Sequence, residues 1–173
     1  SEATFLGVCR SLWNWVTLGS QNLIGVGTNL KFYIENGGAY NDITPLRATV
    51  SLTNPFTTTS GSPTVSVLDA NGGYTSGDFV TFSGASAVGG LTLNGEFQIT
   101  IDTTTTNRYF ITASSNATSA ATGGGTVSAA YQINTGSAYV VPLTGWGAGS
   151  WGAGAWGTGG TSDTQIRLWS QIN

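Results

Sequence analysis

The chain has 173 residues, with five lysines and arginines against eight acids, and a formal net charge of −3 at pH 7. Charged residues make up 8% of it, far below the roughly 25% usual for soluble domains, while hydrophobic residues reach 39%, enough to bury a core. Five scattered cations build no basic surface for a nucleic-acid backbone, a single cysteine makes no internal disulfide, and no apolar run reaches the roughly 18 residues of a membrane helix.

No window carries a 3.6-residue apolar period, whereas short β-branched and aromatic runs between Gly, Asn, Asp and Ser turns recur along the whole chain, so the fold class is all-β. The first section offers SLWNWVTL, NLIGVGT and LKFYIE, separated by tight turns that include Gly37-Gly38, and Pro45 closes it. This reads as an antiparallel, propeller-blade-like meander over residues 1–47. From Ala48 the composition shifts to Ser and Thr. The candidate strands there are Thr64 to Leu68, Asp78 to Phe82, Gly95 to Ile101, Tyr109 to Ala113 and Thr126 to Ile133. In EFQITI the apolar Phe97, Ile99 and Ile101 alternate with polar neighbours and share one face. Residues 48–134 are thus expected to form an inserted small β-sandwich or barrel, with linkers near Ala48 to Asn54 and Asn134 to Ser137. Residues 135–173 return to aromatics and end in TQIRLWSQIN, a strand expected to rejoin the blade-like part. The ends, Ser1 rather than Met and an apolar pattern stopped midway, point to a chain cut at both termini.

The segment GWGAGSWGAGAWG places Trp146, Trp151 and Trp156 five residues apart on a background of glycine and alanine. Three readings apply. The rings pack into apolar pockets of this or a neighbouring subunit and act as a clamp, they are displayed as platforms on which sugars stack, or they sit on a flexible linker. Burial favours the first, because three hydrated indoles forgo several kcal/mol. Trp146, Trp151, Trp156 and Trp169, with Trp13 and Trp15 of the first section, are therefore the candidate assembly interface.

Catalysis finds few materials. The chain has no histidine, and its acids are scattered. A hydrolytic carboxylate pair needs two acids about 5 to 9 Å apart, for which Asp69, Asp78, Glu96 and Asp102 are the candidates, yet each sits at a turn or strand end where local hydrogen bonding explains it. The expectation is that the chain is not an enzyme and uses no cofactor or metal. LDANGG begins like a calcium loop but has Gly73 at its fifth position and Val80 at its twelfth, so an Asx turn is the better reading. GVGTNL holds two glycines of a dinucleotide fingerprint, with Leu30 where the third belongs. Cys9 lies among apolar neighbours and reads as a small buried hydrophobe.

The run SLWNWVTLGSQNLIGVGTNLKFYIENGGAYNDITP resembles the opening blade of propeller-type tail proteins of short-tailed, T7-like phages, the nozzle or tubular proteins, in its WxW, GT and KxY strands leading into DITP. GDFVTFSGASAVGGLTLNGEFQITI with RYFITASSNATSAATGGGTV is similar to a β-domain of phage structural proteins, and GWGAGSWGAGAWG through RLWSQ matches the same group. The resemblance implies a structural component of the phage virion, assembled in the host cytoplasm, most readily of the tail nozzle. Its partners would be copies of itself and other virion proteins, with no specific nucleic-acid binding and no membrane insertion. The alternatives are an adhesin or fibre module that binds a host glycan through the displayed tryptophans, and a capsid decoration or fibrous surface protein.

Overall fold

Period-two alternation builds every regular element of residues 4–135, the part of the chain that the computed structural model describes, and among these residues all regular structure is strand. The chain divides into two units, the first holding the residues up to Ile43 together with Thr135, and the second running from Thr44 to Asn134.

In the first unit β1 (Cys9–Val16), β2 (Asn22–Thr28), β3 (Phe32–Asn36) and β4 (Ala39–Asp42) form one antiparallel sheet in chain order. The β3–β4 connection is a two-residue Gly37-Gly38 turn with φ of 61° and 87°, the left-handed pair that a tight hairpin requires. Thr28 fixes the β2–β3 turn, where its hydroxyl oxygen accepts from the Lys31 amide at 2.8 Å. Lys31 is buried, and its ammonium donates to Asp42 of β4 at 2.6 Å. The two glycines of GVG are seats for rings. A Cβ on Gly25 would meet the Trp15 ring at 3.3 Å, and one on Gly27 would lie 3.8 Å from Phe32. On the opposite face Tyr33 and Tyr40 meet edge to face, with Phe5 against both.

The second unit is a sandwich of two sheets with no closed barrel. One has the order β5 (Leu46–Thr53), β13 (Thr126–Gln132), β8 (Phe79–Ser83), β9 (Gly95–Gln98), and the other β10 (Thr100–Ile101), β11 (Arg108–Thr112), β7 (Thr64–Leu68), β6 (Phe56–Thr58), β12 (Ala121–Gly123). Inward residues Leu52, Val80, Phe82, Val127 and Ala129 of the first sheet pack against Phe56, Val65, Val67 and Ile111 of the second, all buried in one cluster. Phe56 and Phe82 meet across the gap at 5.0 Å with planes at 90°. The chain changes sheets twice at one corner, between β5 and β6 and between β12 and β13. There the Asn54 amide donates to the Gly125 carbonyl at 2.7 Å, and the Gly125 amide donates to Asn54 Oδ1 at 2.9 Å. Between β8 and β9, Val88, Leu91 and Leu93 are buried over the core, and Val88 and Leu91 exchange both backbone hydrogen bonds around Gly89-Gly90.

The all-β expectation holds, and Thr64 to Leu68 is a strand as read. Three local expectations do not hold. Ala48 to Asn54, expected as linker, lies largely in β5, whose Val50 and Leu52 face inward while its polar residues face out. The continuous strand expected over Gly95 to Ile101 breaks at Ile99, which is buried and hands the chain from one sheet to the other. Cys9 is exposed rather than buried, because it opens an edge strand next to a register shift at Arg10.

Gly89 tests the fit of the Val88–Leu91 turn. Its φ is 56°, and an added Cβ would lie 2.6 Å from the Ser119 carbonyl oxygen and against the Thr58 hydroxyl. Gly89→Ala is expected to cost about 3 kcal/mol, against about 1 kcal/mol for Gly37→Ala, whose Cβ would meet nothing within 4 Å. Urea unfolding of the two variants measures the difference.

Candidate functional site

Three of the four acids singled out from the sequence build turns. Asp69 is buried. Its Oδ1 accepts from the Asn71 amide at 2.8 Å and from Asn71 Nδ2 at 2.7 Å, the Asx turn that LDANGG encodes. Asp78 accepts from the Thr75 amide at 2.8 Å and from its hydroxyl at 3.0 Å. Asp102 accepts from the Thr104 hydroxyl at 2.6 Å and amide at 2.8 Å, with Arg108 Nε 3.8 Å away. The Thr104 hydroxyl, then the backbone amides and the Arg108 charge hold the Asp102 carboxyl below the usual carboxylate range. Among the described residues no group of three or more His, Cys, Asp or Glu is placed to hold a metal ion.

Asp69 also anchors a buried phenol relay. The Tyr131 hydroxyl donates to Asp69 Oδ2 at 2.7 Å and lies 2.8 Å from the Tyr109 hydroxyl. Since the Tyr131 proton goes to the carboxylate, Tyr109 is the donor to the Tyr131 oxygen. Tyr74 closes the group, donating to the Asp69 carbonyl at 3.2 Å with its ring edge-on to Tyr109 at 4.6 Å, and Arg47 lies over the Tyr131 ring at 5.6 Å. Burial is the main cause that pushes the Tyr109 and Tyr131 phenols well above their ordinary range, and nearby Asp69 adds to it. Tyr74 moves the same way, first through burial and then through the Asp69 charge. The relay ties together the β7, β11 and β13 strands, from which or next to which Asp69, Tyr109 and Tyr131 come.

Glu96, the fourth acid, belongs to a strand that borders a groove. A groove of about 440 Å³ is lined by Glu96, Phe97, Gln98 and Thr100 on one wall and Thr112, Ala113 and Ser114 on the other. It lies where β9 and β10, the edge strands of the two sheets, part at Ile99. β10 pairs β11 only at Tyr109 and Phe110, so β11 runs on to Thr112 beyond it. The Ala113 amide donates to Pro63 on the β7 side at 2.8 Å. Alternation along the strand therefore turns the Thr112 backbone N–H and C=O toward the groove. Glu96 is held by Gln132, a buried amide whose Nε2 donates to Glu96 Oε1 at 2.7 Å, and Gln98 Nε2 donates to the Gly77 carbonyl at 3.2 Å. Sequence pattern did not show this groove, because its two walls come from strands on different sheets.

Of the candidate interface residues, Trp13 is 72% exposed and Trp15 half-buried over Gly25, both on one face of β1, with Leu12 and Val16 exposed on the other. Trp146, Trp151, Trp156 and Trp169 lie outside the described residues.

No protein-family model matches the chain, and no curated protein does. Among solved structures the chain is similar to phage phi92 endosialidase at 20% identity with a TM-score of 0.43. The likeness covers 73% of this chain and 18% of that one, so the chain spans less than a fifth of the length of the protein it resembles. It corrects one expectation from the sequence, that the chain is not an enzyme. The structure it resembles carries an enzyme's name, and the exclusion is withdrawn. A likeness at this score assigns neither a reaction nor a site.

The phenol relay gives a prediction with a sign. Tyr131→Phe strands the Asp69 carboxylate and the Tyr109 hydroxyl and is expected to cost about 2–3 kcal/mol at neutral pH. In the unfolded chain both phenols titrate near 10, whereas in the folded chain they hold their protons higher. The stability linked to them is complete below about pH 10 and is lost as pH rises above it. Urea midpoints at pH 9 and 11 are expected to fall more steeply in the wild type than in Tyr131→Phe.

Proposed function

We propose that the chain is a structural module of a phage tail of the adhesin or tail-spike kind, fastened to neighbouring subunits through its first unit and presenting its second. The observation that carries this reading is β1. It is an eight-residue edge strand whose outer backbone edge has no strand partner among the described residues, and it exposes Trp13 on one face and Leu12 (65%) and Val16 (62%) on the other. A long edge with apolar side chains on both faces is a liability for a free monomer and an asset for a subunit that is permanently covered. The 8% charge content points the same way, since a surface coated by hydroxyls and amides suits an assembled particle more than a freely diffusing protein. The resemblance of residues 11–45 and of the Ser/Thr-rich insert to phage structural proteins supplies the kind of particle.

The tail nozzle is the narrower second reading. It is favoured by the chain-order sheet β1-β2-β3-β4, which has the strand count of a propeller blade. In that form Trp13 and Trp15, with Trp146, Trp151, Trp156 and Trp169, would anchor heterologous ring contacts between copies of the chain.

Gold-labelled antibody against the second unit, applied to intact particles, separates the readings. Label on tail appendages is expected, a ring about the tail axis would select the nozzle, and label on capsid faces would contradict both. At the level of the chain, light scattering of the wild type is expected to report species above the 17.7 kDa monomer. The Leu12→Ser, Trp13→Ser double variant is expected to shift them toward monomer. A wild type that stays monomeric at high concentration would remove β1 as the seam.

A further inference from the structure

We propose that β1 pairs antiparallel with β1 of a second copy of this chain, about a two-fold axis through Asn14. The inference rests on the reading of β1 as the seam and names the occupant of its open edge. The phase of the β1–β2 ladder decides what that edge offers. The Thr17 amide donates to the Gln21 carbonyl at 2.9 Å across the hairpin, and from there the register runs from Val16 opposite Asn22 to Ser11 opposite Gly27. Bonded and non-bonded pairs alternate along an antiparallel ladder. Trp15, Trp13 and Ser11 therefore bond to β2, while Val16, Asn14 and Leu12 aim their N–H and C=O groups at the open edge. Such a row is completed by another strand.

The side chains say which strand. Residues 12–16 read LWNWV, the same pattern in either direction about Asn14, with an aliphatic residue at each end, a tryptophan inside each end and an amide at the centre. An antiparallel copy centred on Asn14 sets Leu12 opposite the second copy's Val16, Asn14 opposite Asn14, and Val16 opposite Leu12. All three pairs join residues that aim at the open edge, so each exchanges two backbone hydrogen bonds. Trp13 and Trp15 then face the second copy's Trp15 and Trp13 at the non-bonded positions, where opposing side chains lie closest and aromatic pairs are stabilising. Trp15 is already seated on Gly25, which leaves the exposed Trp13 to close over the second copy's Trp15. Sliding the register by two residues sets the Asn14 amide against Leu12 or Val16. Parallel pairing of the same two edges turns one sheet over and puts the tryptophans of the two copies on opposite faces. No charged residue lies between Ser11 and Val16, so the two-fold brings no like charges face to face.

The test uses the full chain and two readouts. In the first, the Cys9→Ser, Asn14→Cys variant and the wild type are oxidised mildly and run on a non-reducing gel. The variant is expected to form a covalent dimer, because facing Cα atoms of a bonded pair lie about 5.5 Å apart, within disulfide range. The wild type is expected to stay uncrosslinked, since the two-fold holds the exposed Cys9 residues of the two copies about 33 Å apart. In the second, Asn14→Asp and Asn14→Lys are each expected to weaken dimerisation roughly tenfold in sedimentation, by setting like charges opposite, and an equal mixture of the two is expected to recover it. Recovery on mixing also shows that both variants fold. Crosslinking of the wild type through Cys9 would mean a parallel pair and overturns the proposal. Oligomers that Leu12→Ser, Trp13→Ser dissolves, with neither crosslinking at position 14 nor recovery on mixing, overturn the two-fold and leave β1 standing as a heterologous seam. A chain that stays monomeric also overturns it, and slow alkylation of the new thiol would then assign the edge to a segment of residues 136–173. The particle labelling above judges the adhesin-type reading independently.

Discussion

The pairing of β5 with β13 is the constraint on which the second unit depends. The chain enters this unit on one of these strands and leaves on the other, and the two run antiparallel in register from Thr53 opposite Thr126 to Ala48 opposite Tyr131. The seam continues past the strands, where the Ile133 amide donates to the Pro45 carbonyl at 3.0 Å. Closing so long a loop is entropically unfavourable, and the hydrogen bonds and inward side chains of this pair offset that cost. Once the ends are joined, everything between them can be a sandwich in its own right. The shared corner at Asn54 and Gly125, the Phe56–Phe82 contact and the opening at Ile99 all lie downstream of that closure.

A chain with so little charge has to satisfy its polar groups by other means. The buried acids do this locally: Asp69, Asp78 and Asp102 each fix a turn through a backbone amide and a hydroxyl or carboxamide two or three residues away, and Asp69 further orders two phenols. The same short hydroxyl and amide side chains coat the outside. In the first unit the balance is different. There Gly25 and Gly27 make room for the rings of Trp15 and Phe32, and β1 leaves apolar side chains exposed.

The sequence makes legible what is carried by local pattern. Thr64 to Leu68 alternates cleanly and stands as a strand, Gly37-Gly38 marks the hairpin it forms, and LDANGG announces the Asx turn. It hides what depends on distant partners. β4, β6 and β12 are three or four residues long, and β5 looked like a linker because its Thr and Ser hydroxyls face outward while only Val50 and Leu52 face in. EFQITI has the periodicity of one strand, and the break at Ile99 follows from a change of sheet that no local signal records. The candidate tryptophans illustrate the same limit. Trp13 and Trp15 flank one residue on a strand, yet one ring stands in solvent and the other lies on a glycine, a difference set by the neighbouring strand. The groove brings together Glu96 and Thr112 from strands of different sheets, and their chain separation gave no warning of it.

Native-state amide hydrogen exchange of the full chain tests the central claim, that the seam closes the second unit on itself, most directly. The expected result is that Val50 and Leu52 of β5 and Val127 and Ala129 of β13 exchange only through the same global opening as Val65 and Ile111 in the facing sheet. Exchange of the β5 amides at loop-like rates, while Val65 and Ile111 remain protected, would contradict it.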